Sequence, residues 1–451
     1  MGKISQIINK IVSICQSGKS SEAISDAAKI VARQDHNLSR KQISPNALKV
    51  LYRLQSGGYS AYLVGGGVRD SLLGLEPKDF DVVTNAKPDE VKKLFKNSLL
   101  IGKRFRIVHI RFRNEIIEVA TFRKASFNEP ESQTRSNHHG MILRDNVYGT
   151  INDDVWRRDF TVNALYYNIK DFSIVDYTNG IEDLKNGVLR IIGEPKERLR
   201  EDPVRLLRAV RLACKLGFKI DEATAEPFEA IAPLLQHISS ARLFDETLKL
   251  FLSGCSVDTF AMLRRYDLFG ILFQQTEQAL VDPKKNHIVD LFILRLLSHT
   301  DERLRAGKTV NPAYLFAGML WYPLLKRHYF HMSNGMRHTP ALDVAIKDVL
   351  HKQLKTLAIP RRFLNIVREI WVMQFQFEKR FGRRPFKLLF QTKFRAGYDF
   401  LLLRAEADPN INELAQWWTA FYEGDEAARK ALLEQIEKPK KKKKKKPQTD
   451  E

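Results

Sequence analysis

The sequence contains little cysteine and no long hydrophobic run. Its 451 residues include only three cysteines, which lie far apart at Cys15, Cys214 and Cys255. Because three distant cysteines give neither a disulfide framework nor a cysteine-rich zinc site, they favour a reducing compartment, and we expect a cytoplasmic protein. Polar residues interrupt the N-terminal isoleucines, where a signal peptide needs an unbroken apolar core. No apolar run reaches the length of a transmembrane helix, so we expect no transmembrane segment.

Acidic residues are scarce relative to basic ones. The chain has 74 lysines and arginines against 53 aspartates and glutamates, which gives a formal net charge of +21. The hydrophobic content of 44% is ordinary for a globular protein, whereas this charge is not. A basic excess spread through the chain favours a polyanionic partner such as nucleic acid, with an anionic membrane surface as the alternative.

Length and composition predict several domains, since a chain of this size holds about two to four. Residues 1–42 are polar and weakly periodic, which predicts a partly disordered leader. Residues 43–193 alternate β-rich runs with short helical segments and predict a mixed α/β head. The pattern then becomes helical, as a neck over 194–270 and a body over 271–425. A lysine-rich, disordered tail follows over 426–451, and the predicted fold class is α+β.

The first motif combines a glycine turn with a pair of aspartates. A β-rich run at Tyr62–Val64 leads into Gly65–Gly67, and Val68–Leu73 predicts a short helix whose N–H groups could cradle a phosphate. A second β-rich run carries Asp79 and Asp81, which leave the same face of a strand. Two like charges that close favour a divalent cation between them. Either pattern alone is typical of an ordinary turn or strand, but their order is more specific.

This constellation resembles the head of the nucleotidyltransferase superfamily related to DNA polymerase β. Its Gly-Gly-x-Val-Arg-Asp form is similar to the branch that holds tRNA CCA-adding enzymes and bacterial poly(A) polymerases. The resemblance implies a small mixed-sheet head followed by an all-helical neck and body. It also implies that Gly66, Gly67 and Arg69 bind the triphosphate. Asp79 and Asp81 would be catalytic and hold two Mg²⁺ ions, which Mn²⁺ could replace.

A third carboxylate, Glu118, lies on a further β-rich stretch, Glu115–Phe122. From the residues alone, Glu118 could equally be a cross-strand partner for an arginine such as Arg123. In the resembling family the equivalent strand brings a carboxylate toward the metals. The resemblance therefore implies that Glu118 is a third metal ligand.

The second motif is the run Arg-Arg-Asp-Phe-Thr-Val-Asn, which begins at Arg157. Asp159 could simply cap a following helix, whereas two arginines at a helix start offer donors to a phosphate. The run resembles the Arg-Arg-Asp-Phe-Thr-x-Asn motif of the same family. By that resemblance Arg158, Asp159 and Asn163 line the nucleotide pocket, and Asp159 is either catalytic or positional.

The third motif is the run Glu-Asp-Pro-Val-Arg, which contains Asp202 and Arg205. Asp202 is expected to cap a helix on which Arg205, Arg208 and Arg211 share one face, either as a solvated basic surface or as a binding surface. The run resembles the family's base-recognition motif. A carboxylate accepts and a guanidinium donates, which matches the edge of adenine or cytosine and not that of uracil or guanine. The motif does not choose between ATP and CTP.

The run Leu100–Ile110 resembles the one that marks the poly(A) polymerases within the branch. We therefore predict template-independent addition of AMP from ATP to RNA 3′ ends, with pyrophosphate released, in RNA processing and decay. The neck would recognise the base, and the body would bind RNA through interleaved basic and aromatic residues. Expected partners are ATP, RNA 3′ ends and RNA-decay or RNA-chaperone proteins, with the chain as a monomer. The alternatives are a tRNA CCA-adding enzyme and a non-catalytic RNA-binding protein.

Overall fold

The computed structural model describes residues 28–102, 106–124, 134–136, 142–145, 147–283 and 286–436. The first 27 residues of the predicted leader and the lysine run of the predicted tail lie outside the described residues. Contacts divide the chain into two compact units. The first comprises Met1–Arg205 and Leu216–Pro227, and the second Leu206–Lys215 and Phe228–Glu451. The boundary therefore falls within one helix rather than at residue 194, where the predicted neck begins.

The first unit is built on an eight-stranded sheet of order β1-β10-β9-β2-β3-β6-β5-β4. All neighbouring strands are antiparallel except β3 and β6, which are parallel. The strands of this sheet are β1 (Lys29–Val31), β2 (Ala61–Val64), β3 (Asp81–Thr84), β4 (Ser98–Ile101), β5 (Ile107–Arg111), β6 (Ile116–Thr121), β9 (Leu165–Asn168) and β10 (Ile174–Asp176). Two small two-stranded sheets pair β7 (Thr134–Ser136) with β8 (Ile142–Asp145), and β11 (Val188–Leu189) with β12 (Lys219–Ile220).

Short helices connect these strands. They are α1 (Pro45–Ser56), α2 (Gly66–Leu72), α3 (Pro88–Leu94), α4 (Ile151–Val155), α5 (Gly180–Asn186), α6 (Pro195–Glu201), the first residues of α7 (Val204–Leu216) and α8 (Glu222–Ala225). Helix α1 begins with proline at its first position, where a missing N–H costs nothing, and the Ser44 hydroxyl accepts a hydrogen bond from the Ala47 N–H at 3.0 Å. The mixed sheet with its connecting helices confirms the α+β class.

Four local expectations differ from the structure. Lys29–Val31 pairs with β10, so the head begins inside the stretch that the composition assigned to the leader. Helix α2 begins at Gly66 rather than at Val68, because Gly65 at φ +77° makes the turn alone. Strand β3 begins at Asp81, so Asp79 precedes the strand instead of sharing its face. Asp159 is followed by only a three-residue 3₁₀ turn, Thr161–Asn163, and not by an α-helix.

The second unit is helical. After most of α7 it contains α9 (Phe228–Ile231), α10 (Ser240–Phe251), α11 (Ser256–Arg265), α12 (Phe269–Leu272), α13 (Gln274–Leu280), α14 (Asn286–Arg305), α15 (Pro312–Met319), α16 (Trp321–Ser333), α17 (His338–Leu354), α18 (Arg361–Phe377), α19 (Arg384–Leu389), α20 (Phe394–Ala407), α21 (Asn412–Glu423) and α22 (Glu426–Glu434). Aromatic side chains dominate its core, including the fully buried Trp321, Trp371 and Trp418. Across the described ranges, no helix is both long and apolar enough to cross a bilayer.

Candidate active site

The sheet register sets one row of side chains across five strands of the first unit. Tyr166 on β9 pairs with Val64 on β2, which pairs with Asp81 on β3. Asp81 lies opposite Glu118 on β6, and Glu118 lies opposite His109 on β5. Residues directly opposite one another leave the same face of a sheet, so the row carries two carboxylates side by side.

The glycine turn brings the backbone at the start of α2 next to this row. A Cβ atom at Gly65 would lie 3.5 Å from Asp81 Oδ2 and 3.9 Å from Arg158 Nη1, in a backbone conformation that favours glycine. A Cβ atom at Gly67 would lie 3.1 Å from the carbonyl oxygen of Asp79. The structure therefore brings glycines and aspartates of the first motif and Arg158 of the second motif together at the start of α2.

Asp81 is held in an electrostatically unfavourable position. Burial and the neighbouring charges of Glu118 and Asp79 raise the pKa of its carboxyl, Arg158 opposes them, and the resulting pKa is about 6. Asp79 itself is exposed. A carboxylate that burial and like charges both disfavour is the group that a bound cation would relieve, so these residues fit a divalent metal.

Glu118 contacts a histidine rather than the arginine considered from the sequence. Its Oε1 lies 3.2 Å from Nε2 of His109, and the Glu118 side chain remains 49% exposed. The Arg123 guanidinium donates to the carbonyl oxygen of Arg106 at 2.7 Å. Among the residues that the structure describes, no three His, Cys, Asp or Glu side chains are grouped closely enough to hold a metal ion. Asp79, Asp81 and Glu118 are thus neighbours but not an assembled ligand set.

Arg158 is anchored by two buried partners. Its Nη2 donates to Asp154 Oδ2 at 2.9 Å, and its Nε donates to the Tyr166 hydroxyl at 2.8 Å. That hydroxyl donates in turn to Asp154 Oδ2 at 2.9 Å. Burial alone would lower the pKa of the guanidinium, but its interactions with Tyr166 and Asp154 raise that pKa above its ordinary value. Arg158 therefore supplies a permanent positive charge beside Gly65 and Asp81.

A second buried network links the first two motifs. Arg69, which is 4% exposed, donates through Nε to Asp70 Oδ1 at 2.8 Å and through Nη1 to Asn163 Oδ1 at 2.5 Å. Asn163 donates from Nδ2 to Asp159 Oδ1 at 3.0 Å, and that oxygen also accepts the N–H of Phe160 at 2.9 Å. Arg69 was predicted to bind triphosphate. In the structure it lies inside the fold and orients Asn163.

The third motif is anchored by Glu201. Arg205 Nη1 lies 3.1 Å from Glu201 Oε2 and 2.5 Å from the carbonyl oxygen of Arg198, which also pairs with Glu201. Burial and the neighbouring charge of Arg205 lower the pKa of Arg198 to about 10. Asp202 accepts the N–H of Val204 at 3.3 Å, so it contacts the start of α7 as expected for a cap.

Arg208 and Arg211 share helix α7 with Arg205 but belong by their contacts to the second unit. There Arg211 Nε lies 3.8 Å from Glu246 Oε2, and the Arg211 side chain is 19% exposed. The described first unit therefore contains the other predicted site residues, while these two arginines are part of the helical unit.

Several neighbours of the predicted site residues were not singled out as site residues, although some left a signal in the sequence. Asp154 precedes Arg158 by four residues, the spacing at which side chains meet on a helix. Glu201 precedes Arg205 by the same spacing. His109 and Tyr166 had no local signal, because they reach the row only through the pairing of distant strands.

Three family models match the chain. The Poly A polymerase head domain matches residues 61–190, and the probable RNA and SrmB-binding site of polymerase A matches residues 217–280. The polymerase A arginine-rich C-terminus matches residues 334–450. The match to the head domain contains Gly66, Asp79 and the other candidate site residues on the sheet, and it ends just after β11.

Similar proteins include Poly(A) polymerase I of Salmonella typhi, which is 47% identical over 413 residues, or 90% of this chain and 89% of the relative. Poly(A) polymerase I of Escherichia coli O6:H1 is 44% identical and covers 96% of this chain and 94% of its own. A CCA-adding enzyme of Lactobacillus helveticus is 37% identical over 48% of this chain and 51% of its own. The CTP complex of the Bacillus stearothermophilus CCA-adding enzyme has the same fold, with a TM-score of 0.55 at 23% identity, over 84% of this chain and 82% of that one.

Proposed function

The chain belongs to the bacterial poly(A) polymerase family, and from this we propose that its first unit transfers AMP from ATP to RNA 3′ ends at the Asp81 row. It is a polynucleotide adenylyltransferase that works without a template. In the reaction the RNA 3′ oxygen forms a bond to the α-phosphorus, the bond to the β-phosphate oxygen breaks, and pyrophosphate leaves. The observation that carries the assignment to this site is the partly buried, charge-crowded Asp81 beside Gly65 and Arg158.

The carboxylates and the arginine of the site would have different roles in the reaction. Nucleotidyltransferases of this family use divalent metal ions, and Asp79 and Asp81 would hold two Mg²⁺ ions, or Mn²⁺, with Glu118 assisting. Bound there, such ions would activate the 3′-hydroxyl and neutralise charge on the leaving pyrophosphate. Arg158 supports this assignment, because its permanent charge lies where negative charge on the triphosphate must be balanced.

The glycine turn and the second motif would position the nucleotide. Gly66 and Gly67 would bind the phosphates through backbone N–H groups at the start of α2, where Gly67 also allows the Asp79 carbonyl to approach closely. Asn163, oriented by Arg69, would hold Asp159 at the sugar and phosphate end of the pocket. This arrangement supports a positional rather than a proton-transferring role for Asp159.

The third motif would read the base. Asp202 is partly exposed, while Arg205 is held by Glu201, so the pair would present an acceptor and a donor to adenine with little reorganisation. Arg208 and Arg211 on the same helix would contribute further nucleotide contacts. The helical second unit would bind RNA. We also propose that the chain acts as a cytoplasmic monomer and meets RNA-decay or RNA-chaperone proteins, consistent with the family model over 217–280.

An incorporation assay tests this function. Purified protein is incubated with a 5′-labelled single-stranded RNA, Mg²⁺ and one nucleoside triphosphate at a time, and the products are separated by length. We expect long tails with ATP and almost no extension with CTP, UTP or GTP.

The same assay separates the alternatives. A CCA-adding enzyme would use CTP and stop after three additions to a tRNA acceptor. We test this alternative because CCA-adding enzymes are among the similar proteins. A non-catalytic RNA-binding protein would add no nucleotide with any triphosphate. Either result would contradict the proposal.

A further inference from the structure

A small groove in the second unit lies between helices α13, α16 and α17. Its volume is about 370 Å³, in the range of ligand pockets. It is lined on one side by Lys326, Arg327 and Phe330 from α16, and on the other by Asp348 and Lys352 from α17. None of the three sequence motifs includes these residues.

Positive charge prevails in this groove, which we name the Phe330 groove. Arg327 Nε donates to Asp348 Oδ2 at 2.7 Å, and His331 Nε2 lies 3.0 Å from the same oxygen. Partial burial opposes ionisation of Asp348, but these hydrogen bonds outweigh it and lower the pKa of its carboxyl. The single carboxylate of the groove is thus ionised and already paired, whereas Lys326 and Lys352 are exposed at the rim.

An aromatic ring borders the same groove. Phe330 is 50% exposed, so half of this large apolar side chain is accessible from solvent. The guanidinium carbon of Arg327 lies 4.9 Å from the centre of the Phe330 ring. Because Asp348 holds that guanidinium over the ring, the arginine and Phe330 form one preorganised stack. Bases of single-stranded RNA stack on such aromatic and guanidinium planes.

The adjacent groove on α16 provides a contrast. It measures about 240 Å³, shares Lys326, and carries Tyr329, which is 56% exposed. Its lining also includes the carboxylates Asp282 and Asp408, which would repel a phosphate. Two neighbouring aromatic residues therefore face opposite electrostatic surroundings, and of these two grooves the Phe330 groove is the one that suits a polyanion.

We propose that the Phe330 groove binds one nucleotide of single-stranded RNA, with the base stacked on Phe330 and the flanking phosphates held by Lys326 and Lys352. The inference rests on the proposed function only in that RNA is the acceptor of the reaction. A protein partner is the competing occupant of an exposed aromatic surface. The excess of cations in the groove favours the nucleic acid.

Equilibrium binding of full-length protein to a fluorescein-labelled single-stranded RNA, without ATP, tests the inference. We compare Phe330→Ala and the double variant K326A/K352A with two controls. Tyr329→Ala removes the neighbouring exposed aromatic ring, and Lys347→Ala removes an exposed lysine of α17 outside the groove. Thermal unfolding checks that each variant is folded.

We expect Phe330→Ala to weaken binding by about fivefold or more, because one stacked base is lost. K326A/K352A should lower the slope of log Kd against log salt concentration by roughly 0.7 per lysine. Both controls should bind as the unaltered protein does. Unchanged affinity in both groove variants, or an equal loss in Tyr329→Ala, would overturn the assignment. AMP incorporation by the unaltered protein is measured separately, so failure of the proposed function is distinguishable from failure of this site.

Discussion

Two parts of the candidate active site differ in how their charges are arranged. The carboxylate edge, made of Asp79, Asp81 and Glu118, places like charges together and leaves two of the three groups largely exposed. The arginine network instead pairs each buried charge with a hydrogen-bonding partner. Its members form two hydrogen-bonded groups, which are Arg158, Asp154 and Tyr166, and Arg69, Asp70, Asn163 and Asp159.

The difference distinguishes residues that would take part in the reaction from residues that hold the site in its geometry. A group whose charge is repelled by its neighbours is costly to the fold, so its presence is explained by a ligand that reverses the cost. A buried charge with a complete set of partners maintains geometry, and losing one partner leaves the other uncompensated. Substitutions at the carboxylate edge should therefore damage activity without damaging stability, whereas substitutions in the arginine network should damage both.

The largest expected effect is on catalysis at the carboxylate edge. Asp79→Asn and Asp81→Asn should each lower the rate of AMP incorporation by about 10³-fold or more. Loss of a residue that only hydrogen-bonds to a metal ligand typically costs about 10–100-fold, and a direct ligand should cost more. Single-turnover incorporation on labelled RNA measures the loss. Asp89→Asn, an exposed carboxylate at the start of α3, is the control and should retain activity. If either edge variant kept full activity, the contrast between the two regions would fail.

The next effect is on stability in the arginine network. Asp154→Ala removes the carboxylate that pairs with Arg158 and accepts from Tyr166, and should destabilise the first unit by about 3 kcal/mol. Chemical denaturation followed by circular dichroism measures this change. Tyr166→Phe, which keeps the ring and loses one hydroxyl, should cost only about 1 kcal/mol. Equal stability of Asp154→Ala and the unaltered protein would show that the network is not structural.

A smaller loss is expected at the link between the two motifs. Asn163→Ala leaves Arg69 and Asp159 without their common partner and should cost about 2 kcal/mol. It should also lower kcat by about tenfold to a hundredfold, with KM for ATP changing less, if Asn163 orients Asp159. Steady-state kinetics with varied ATP separates the two constants. A change confined to KM would assign Asn163 to nucleotide binding instead.

The smallest effect is expected at Glu118. Its carboxylate is half exposed and contacts His109, so Glu118→Gln should reduce incorporation by only about tenfold. The measurement is the same single-turnover assay used for the aspartates. A loss as large as that of Asp81→Asn would place Glu118 among the principal metal ligands.

The sequence was sufficient for the motifs whose residues lie close together along the chain. Gly65, Asp79 and Asp81 were recognised because a glycine turn and one short run of sequence after it carry them. The first residue of strand β3 was not predicted, because a β-rich run does not show where strand pairing begins. A shift of one residue in the pairing moves every side chain to the opposite face of the sheet. Asp79 was therefore expected on the strand but precedes it.

The local sequence pattern could not predict which residues from distant strands lie beside Asp81. His109 and Tyr166 lie in the row through Asp81 because β5, β6, β3, β2 and β9 pair in a particular register. The pairs Asp154–Arg158 and Glu201–Arg205 did have the helical spacing of four residues. Their burial, which turns them from surface pairs into anchors, depends on the packed fold and was not visible in that spacing.

The unfolding free energy of Asp81→Asn across pH tests the contrast most directly. The Asp81 pKa is about 6 in the fold against an ordinary 3.8, so the protonated form is favoured, and its stabilising contribution is lost as pH rises through 6. In metal-free buffer, Asp81→Asn should equal the unaltered protein near pH 4 and exceed it by roughly 2–3 kcal/mol at pH 7.5. Added Mg²⁺ should stabilise only the unaltered protein. If Asp81→Asn were less stable at pH 7.5, or the difference did not vary with pH, the charge-crowded carboxylate edge would be contradicted.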